Sequence, residues 1–164
     1  MSPVFQLCQW LHDSSMGTAI RESSYAFPVI ETVHVLSISL VVGTVAVVDL
    51  RLLGIVFKRQ RFSEIITPVL PLTWTGFAIS VLSGSLLFWS EALKASVNPA
   101  FRIKLVLLVL LGLNPLIFHS TIYRRIATWD DALIAPPAAR AAAVISITLW
   151  SATIVAGRAI AYFH

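Results

Sequence analysis

Sulfur ligands are scarce in this sequence. It has one cysteine, Cys8, and two methionines, Met1 and Met16. One cysteine excludes an intrachain disulfide and a cysteine-rich metal site. Cu(I) favours Met and Cys ligands, and the apolar runs that follow contain neither, which counts against copper handling. Charge is scarce as well. Asp, Glu, Lys and Arg make up 12% of the 164 residues, about half the ~25% of a soluble domain. Hydrophobic residues make up 57% and the mean hydropathy is +0.84. A soluble domain of this size has too little interior for so much apolar surface, so the expected solvent is the lipid bilayer. A net charge of +4 and a pI near 9.7 would suit a nucleic-acid binder. The basic residues flank apolar runs instead of forming a patch, so they read as topology signals and no nucleic acid is expected. The first residues lack the charged n-region, apolar block and small-residue cleavage site of a secretory signal. There is no repeat and no break in composition, so one membrane domain over 1–164 is expected.

What is present is helical. In "SPVFQLCQWLHD", Ser2 can cap a helix and Pro3 suits its first turn. Val4, Phe5, Leu7, Cys8 and Leu11 then repeat at helical spacing. This predicts an amphipathic interfacial helix over 3–13, with Trp10 at headgroup depth. Four runs are long enough to span a bilayer, which takes ~20 apolar residues: about 28–56, 68–92, 101–123 and 141–162. Pro68 and Pro71 mark the first turns of the second. Short connections make sequence neighbours antiparallel, so the predicted fold is all-α: a transmembrane up-and-down four-helix bundle. Residues 124–139 read as an interfacial loop, and Trp10, Trp89 and Trp129 as interfacial anchors. Lys and Arg concentrate in the connections between spans 1 and 2 and between spans 3 and 4. This puts both termini outside, in the periplasm for a bacterial inner membrane.

Small residues at every fourth position, Gly76, Ser80 and Gly84 on span 2 and Ser39 and Gly43 on span 1, predict close helix packing. Pro115 should kink span 3, and Asn114 beside it needs an interhelical hydrogen bond.

Ionisable side chains within a span are costly and point to function. At ~1.5 Å per residue, Glu31, His34, Lys104 and Arg158 fall within about one turn of each other in depth, near the outer ends of their helices. Asp49, Arg51, His119, Ser120 and Tyr123 form a second layer near the inner ends. Glu31, His34, Ile38, Val45 and Asp49 mark the expected bundle-facing stripe of span 1. His34 has two readings: a cofactor or metal ligand, or a structural histidine bonded to Glu31 at i, i+3. Lys104 and Arg158 either face a bound group or snorkel to the interface. Asp49 and Arg51 read as an ion pair that ends the helix. His119 reads as a hydrogen-bonding residue before it reads as a ligand. It lies fifteen residues beyond Lys104, roughly 22 Å along the axis, too far to share one heme iron with His34. His12 and His164 read as solvated.

The blocks "ESSYAFPVIETVHVLSISLVVGTVAVVDLRLLG" and "FRIKLVLLVLLGLNPLIFH" resemble an uncharacterised family of bacterial four-helix membrane proteins. More distantly, the layout of His34, Gly43 and Arg51, followed by Phe101 and Lys104, is similar to the four-helix heme-dependent protoporphyrinogen oxidases and to CopD-type copper-resistance membrane proteins. In the oxidases the corresponding histidine and lysine are tied to heme b. The resemblance therefore implicates His34 as an axial ligand and Lys104 as a propionate partner or second ligand. Glu31 would then fix the His34 tautomer, and Arg158 would neutralise a propionate. The implied work is electron transfer with quinone or a redox partner protein, or oxidation of a tetrapyrrole. A metal- or proton-coupled transporter and a non-catalytic membrane subunit stand as alternatives, and each of these readings admits an oligomer.

Overall fold

The computed structural model describes residues 3–162, and among them there are helices and no strand. The elements are α1 (Pro3–Asp13), α2 (Ser15–Glu22), α3 (Ala26–Leu52), α4 (Phe62–Ser90), α5 (Ala92–Val97), α6 (Pro99–Ile117) and α7 (Pro137–Ala159). Helix α6 continues through a π-turn, Phe118–Ile122, and 3-10 turns, Tyr123–Thr128. Four segments are long and apolar enough to cross a membrane: Ala26–Leu52, Phe62–Ser90, Pro99–Thr128 and Pro137–Tyr162. Their outward faces are apolar, with Leu36, Trp74, Leu82, Val109, Leu116 and Val155 all exposed. An exterior of this kind suits lipid and not water. The protein is an all-α, multi-pass membrane four-helix bundle.

Helix α3 is central: it packs on α4 and on α7, and α7 packs on α6. Helices α4 and α6 stay further apart, with no Cα pair within 8 Å. Side chains bridge them at both ends. Phe88 stacks on Phe101 at one end, with centroids 5.5 Å apart, and Phe62 meets Phe118 edge-on at the other. The α3–α4 seam is as tight as the small-residue spacing predicts. A Cβ on Gly76 would come within 2.9 Å of Val41 Cγ2, so glycine is required for this approach. Thr73 donates to Thr44 across the same seam at 2.9 Å. Gly43 behaves differently, because nothing lies within 4 Å of its Cβ position. The Ser39–Gly43 stripe faces outward and does not pack in the bundle. The inward stripe of α3 is Ser37, Val41, Asp49 and Leu52, with His34 half-buried and Glu31 exposed.

Helix α4 begins at Phe62, six residues before Pro68, so the prolines do not start it. Its start is fixed from a distant part of the chain. The Phe62 N–H donates to the Asp130 carbonyl at 3.1 Å, the Ser63 N–H to Asp130 Oδ1 at 2.8 Å, and the Ser63 hydroxyl to Oδ2 at 2.7 Å. Asp130 is thus an N-cap supplied by another loop, a signal no local sequence window contains. Beside it, Phe62, Phe118, Trp129, Leu52, Ile66 and alanines of α7 form the main hydrophobic core. Trp129 is buried there, 5.2 Å from the Phe62 ring, and is not an interfacial anchor. Asn114 does find its interhelical partner, donating to the Ala142 carbonyl at 3.1 Å. The π-turn begins three residues after Pro115, whose missing N–H leaves the Leu111 carbonyl without its ladder donor.

Burial alone would raise the Asp130 carboxyl, but the two Ser63 bonds and the nearby Arg61 and Arg51 guanidiniums outweigh it and hold it below the ordinary carboxylate range. A depressed folded-state value stabilises above the unfolded one and is lost as pH falls through it. Asp130→Ala should therefore cost about 1 kcal/mol at neutral pH. The difference from wild type should shrink below about pH 4, as the wild-type carboxyl protonates. Unfolding in mixed micelles at both pH values measures this.

At the opposite end, α1, α2 and α5 cover the bundle. Helix α1 has the predicted bounds, and Trp10 is 65% exposed on it. Arg21 of α2 donates to His12 Nδ1, to the His12 carbonyl and to the Ser90 carbonyl at 3.0–3.1 Å. A cation is thereby placed on the carboxyl end of α4. His12 is engaged rather than solvated, and Trp89 donates to Ser14 at 2.9 Å. His164 lies outside the described residues.

Candidate functional site

His34 is the ninth residue of α3 and Ser83 is the eighth counted back from the end of the antiparallel α4, so the two reach the same level. Their side chains meet, with His34 Nδ1 3.0 Å from Ser83 Oγ. The direction of this bond follows from the serine. Its hydroxyl donates to the Ile79 carbonyl of its own helix at 2.7 Å, the back-bond that helical serines favour. Its proton is engaged, so Oγ accepts and the His34 Nδ1–H donates. The lone pair of the imidazole is then on Nε2.

The ring lies on Gly84. A Cβ there would sit 2.8 Å from His34 Cε1, so glycine makes room for the imidazole. From the third side comes Lys104 of α6, near enough for its charge to act on His34. Its Nζ lies 3.8 Å from where Gly157 of α7 would carry a Cβ. Lys104 is half-buried and, among the described residues, makes no ion pair or hydrogen bond. All four spans therefore contribute to one level of the bundle: His34, Ser83 with Gly84, Lys104 and Gly157. The two glycines supply only hydrogen at Cα, and the space they leave is taken by the His34 ring and the Lys104 stem.

The other predicted residues stand apart from this level. Glu31 is exposed on α3 and does not orient His34, because Ser83 takes that place. Arg158 is exposed, with its guanidinium 5.6 Å from the Tyr162 ring centroid, and faces away from the interior. His119 is exposed at the far end, donates from Nδ1 to the Pro115 carbonyl at 3.0 Å, and lies against Tyr123. Asp49 and Arg51 form no ion pair. Arg51 is 1% exposed and donates to the Gln60 and Ala132 carbonyls. Asp49 turns toward Ser146 of α7 instead. They are two residues apart on a helix, and such positions do not face each other.

Residues 9–163 match the model of a family of unknown function, DUF6644. The chain belongs to that family. No curated protein and no solved structure matches it. The family match spans all four membrane helices and so takes in the whole His34 level.

Among the described residues, no three His, Cys, Asp or Glu side chains converge as a metal site. The chemistry open to the His34 level is that of one imidazole lone pair beside one unpaired amine. A surface hollow of about 380 Å³ lies elsewhere, on Gln6, Gln9 and Trp10 of α1. Ser83, Gly84 and Gly157 are the residues that sequence reading missed at this level. The depth match between antiparallel spans that pairs His34 with Lys104 brings Ser83 and Gly84 to it as well.

Proposed function

We propose that this protein binds heme b at the level of His34 and serves electron transfer in a bacterial inner membrane, with both termini on the periplasmic side. The observation that carries the reading is the His34 Nδ1–Ser83 Oγ contact, beside a serine hydroxyl bonded to the Ile79 carbonyl. An axial histidine needs its second nitrogen bonded outward and its lone pair free, and the Ser83 contact provides that state. The donor set agrees. Lys104, with no carboxylate partner among the described residues, would pair with a propionate or supply a second iron ligand, and Gly84 and Gly157 give the His34 ring and the Lys104 stem room within the bundle. When bound, the heme would supply the redox chemistry. His34 would hold and orient it, Ser83 would fix the imidazole, and Lys104 would offset negative charge. Quinone, or a redox protein docked on the membrane, would exchange electrons with it. Glu31 and Arg158, both exposed, are left outside this arrangement.

The test is spectral. The protein, purified in detergent after heme-replete expression, should show a Soret band and a reduced-minus-oxidised α-band at near-stoichiometric heme. Spectra at background level under those conditions would overturn the reading and leave a membrane bundle without heme.

A further inference from the structure

The wall between α3 and α7 contains a carboxyl group that the His34 level does not use. Asp49 is 5% exposed, and its Oδ2 is buried without a hydrogen-bond partner. Ser146 is the polar side chain that interacts with it. Asp49 lines a groove of about 90 Å³ shared with Val42, Ala46, Ile147, Trp150, Ser151 and Ile154. The groove is on a membrane-spanning face, so whatever enters it comes through lipid. An unpaired carboxyl oxygen in such a place is costly unless a donor reaches it. It can accept a hydrogen bond, and an aliphatic or purely hydrocarbon chain offers none.

We propose that this groove binds the head of a lipid-soluble quinol, with a ring O–H donating to the Asp49 carboxyl and the ring lying along Trp150. Three features select that class. The carboxyl oxygen requires a donor. The indole offers an aromatic face. The remaining walls are apolar apart from Ser151, whose hydroxyl is bonded to the Ile147 carbonyl, and the groove is smaller than the ~150 Å³ cavity known to take up benzene, so a ring would lie partly in the surrounding lipid. Asp49 lies fifteen residues from His34 on the same helix, roughly 22 Å along its axis, so the two sites sit in opposite halves of the membrane. The site itself stands on the groove. Only the choice of a quinol over other phenols rests on the redox reading.

The experiment compares a decyl-substituted benzoquinol with its dimethyl ether, which keeps ring and tail but has no O–H. Binding is followed by quenching of tryptophan fluorescence in nanodiscs. The quinol should bind saturably and at least tenfold more tightly than the ether. Asp49→Leu should remove that preference. Equal affinities in the wild-type protein, or no saturable quenching, would overturn the proposal, and neither result depends on the variant folding. A simple lipid-soluble phenol binding as tightly as the quinol would overturn the choice of occupant. Repeating the titration on His34→Ala separates the two sites. Binding retained there while heme is lost shows that the groove does not depend on the heme reading.

Discussion

Arg51→Met should destabilise the bundle by about 3–5 kcal/mol, among the largest effects expected of a single substitution here. The guanidinium is buried and makes three hydrogen bonds. Nε and Nη2 donate to the Gln60 carbonyl at 3.2 and 2.7 Å, and Nη2 also donates to the Ala132 carbonyl at 3.2 Å. These carbonyls belong to the α3–α4 connection and the approach to α7, two loops far apart in sequence. Methionine keeps much of the stem but leaves both carbonyls without this donor, at ~1–3 kcal/mol each. The charge also acts on Asp130, the cap of α4, so its loss should move the acid sensitivity of that cap to higher pH. Unfolding in mixed detergent micelles, read by circular dichroism, gives the first number. Arg51→Lys should fall between, because an ammonium keeps the charge but not the planar fork. A loss under 1 kcal/mol for the methionine variant would show that the loops are held by something else.

Arg51 also marks the limit of what local sequence carries. The four spans, their antiparallel order and the N-terminal helix α1 follow from apolar run length and helical spacing. Those are properties of a window of about twenty residues, and the structure agrees. The Gly76 contact follows for the same reason, since spacing on one helix fixes its face. The ends did not follow. Helix α4 starts at Phe62 because Asp130 caps it across sixty-seven residues, and no local pattern records that. Arg51 looked like the partner of Asp49 because they are near in sequence. On a helix that nearness turns them to different faces, and each found its partner on another element. Depth was more informative than sequence proximity. It brought His34 and Lys104 to one level, and applied to α4 it reaches Ser83 and Gly84 too. It gives height but not azimuth, so Glu31 and Arg158, at nearly the right depth, turned out to face outward.

On the proposed heme reading, His34→Ala should abolish the heme spectrum, and its neighbours should grade the loss. With the imidazole gone, no other histidine of the described bundle is at this level, since His119 is at the far end and His12 is engaged by Arg21. Ser83→Ala should retain heme but weaken it by about 10–100-fold, the usual cost of removing the group that orients a ligating histidine. The same variant frees Nδ1, so the imidazole is no longer held to one tautomer and the midpoint potential should shift. Gly84→Ala should be more severe than its size suggests. Its methyl would meet His34 Cε1 at 2.8 Å, which forces the ring away from Ser83 while the helix, gaining propensity, remains folded. Glu31→Gln should leave both band and potential unchanged, because Glu31 is exposed and makes no bond to His34. Heme titration into the purified variants, with redox potentiometry, ranks them: His34→Ala, then Gly84→Ala, then Ser83→Ala, with Glu31→Gln as wild type. If Glu31→Gln lost heme while Ser83→Ala kept wild-type affinity and potential, the imidazole would be oriented from the outer side and the tautomer argument would be wrong.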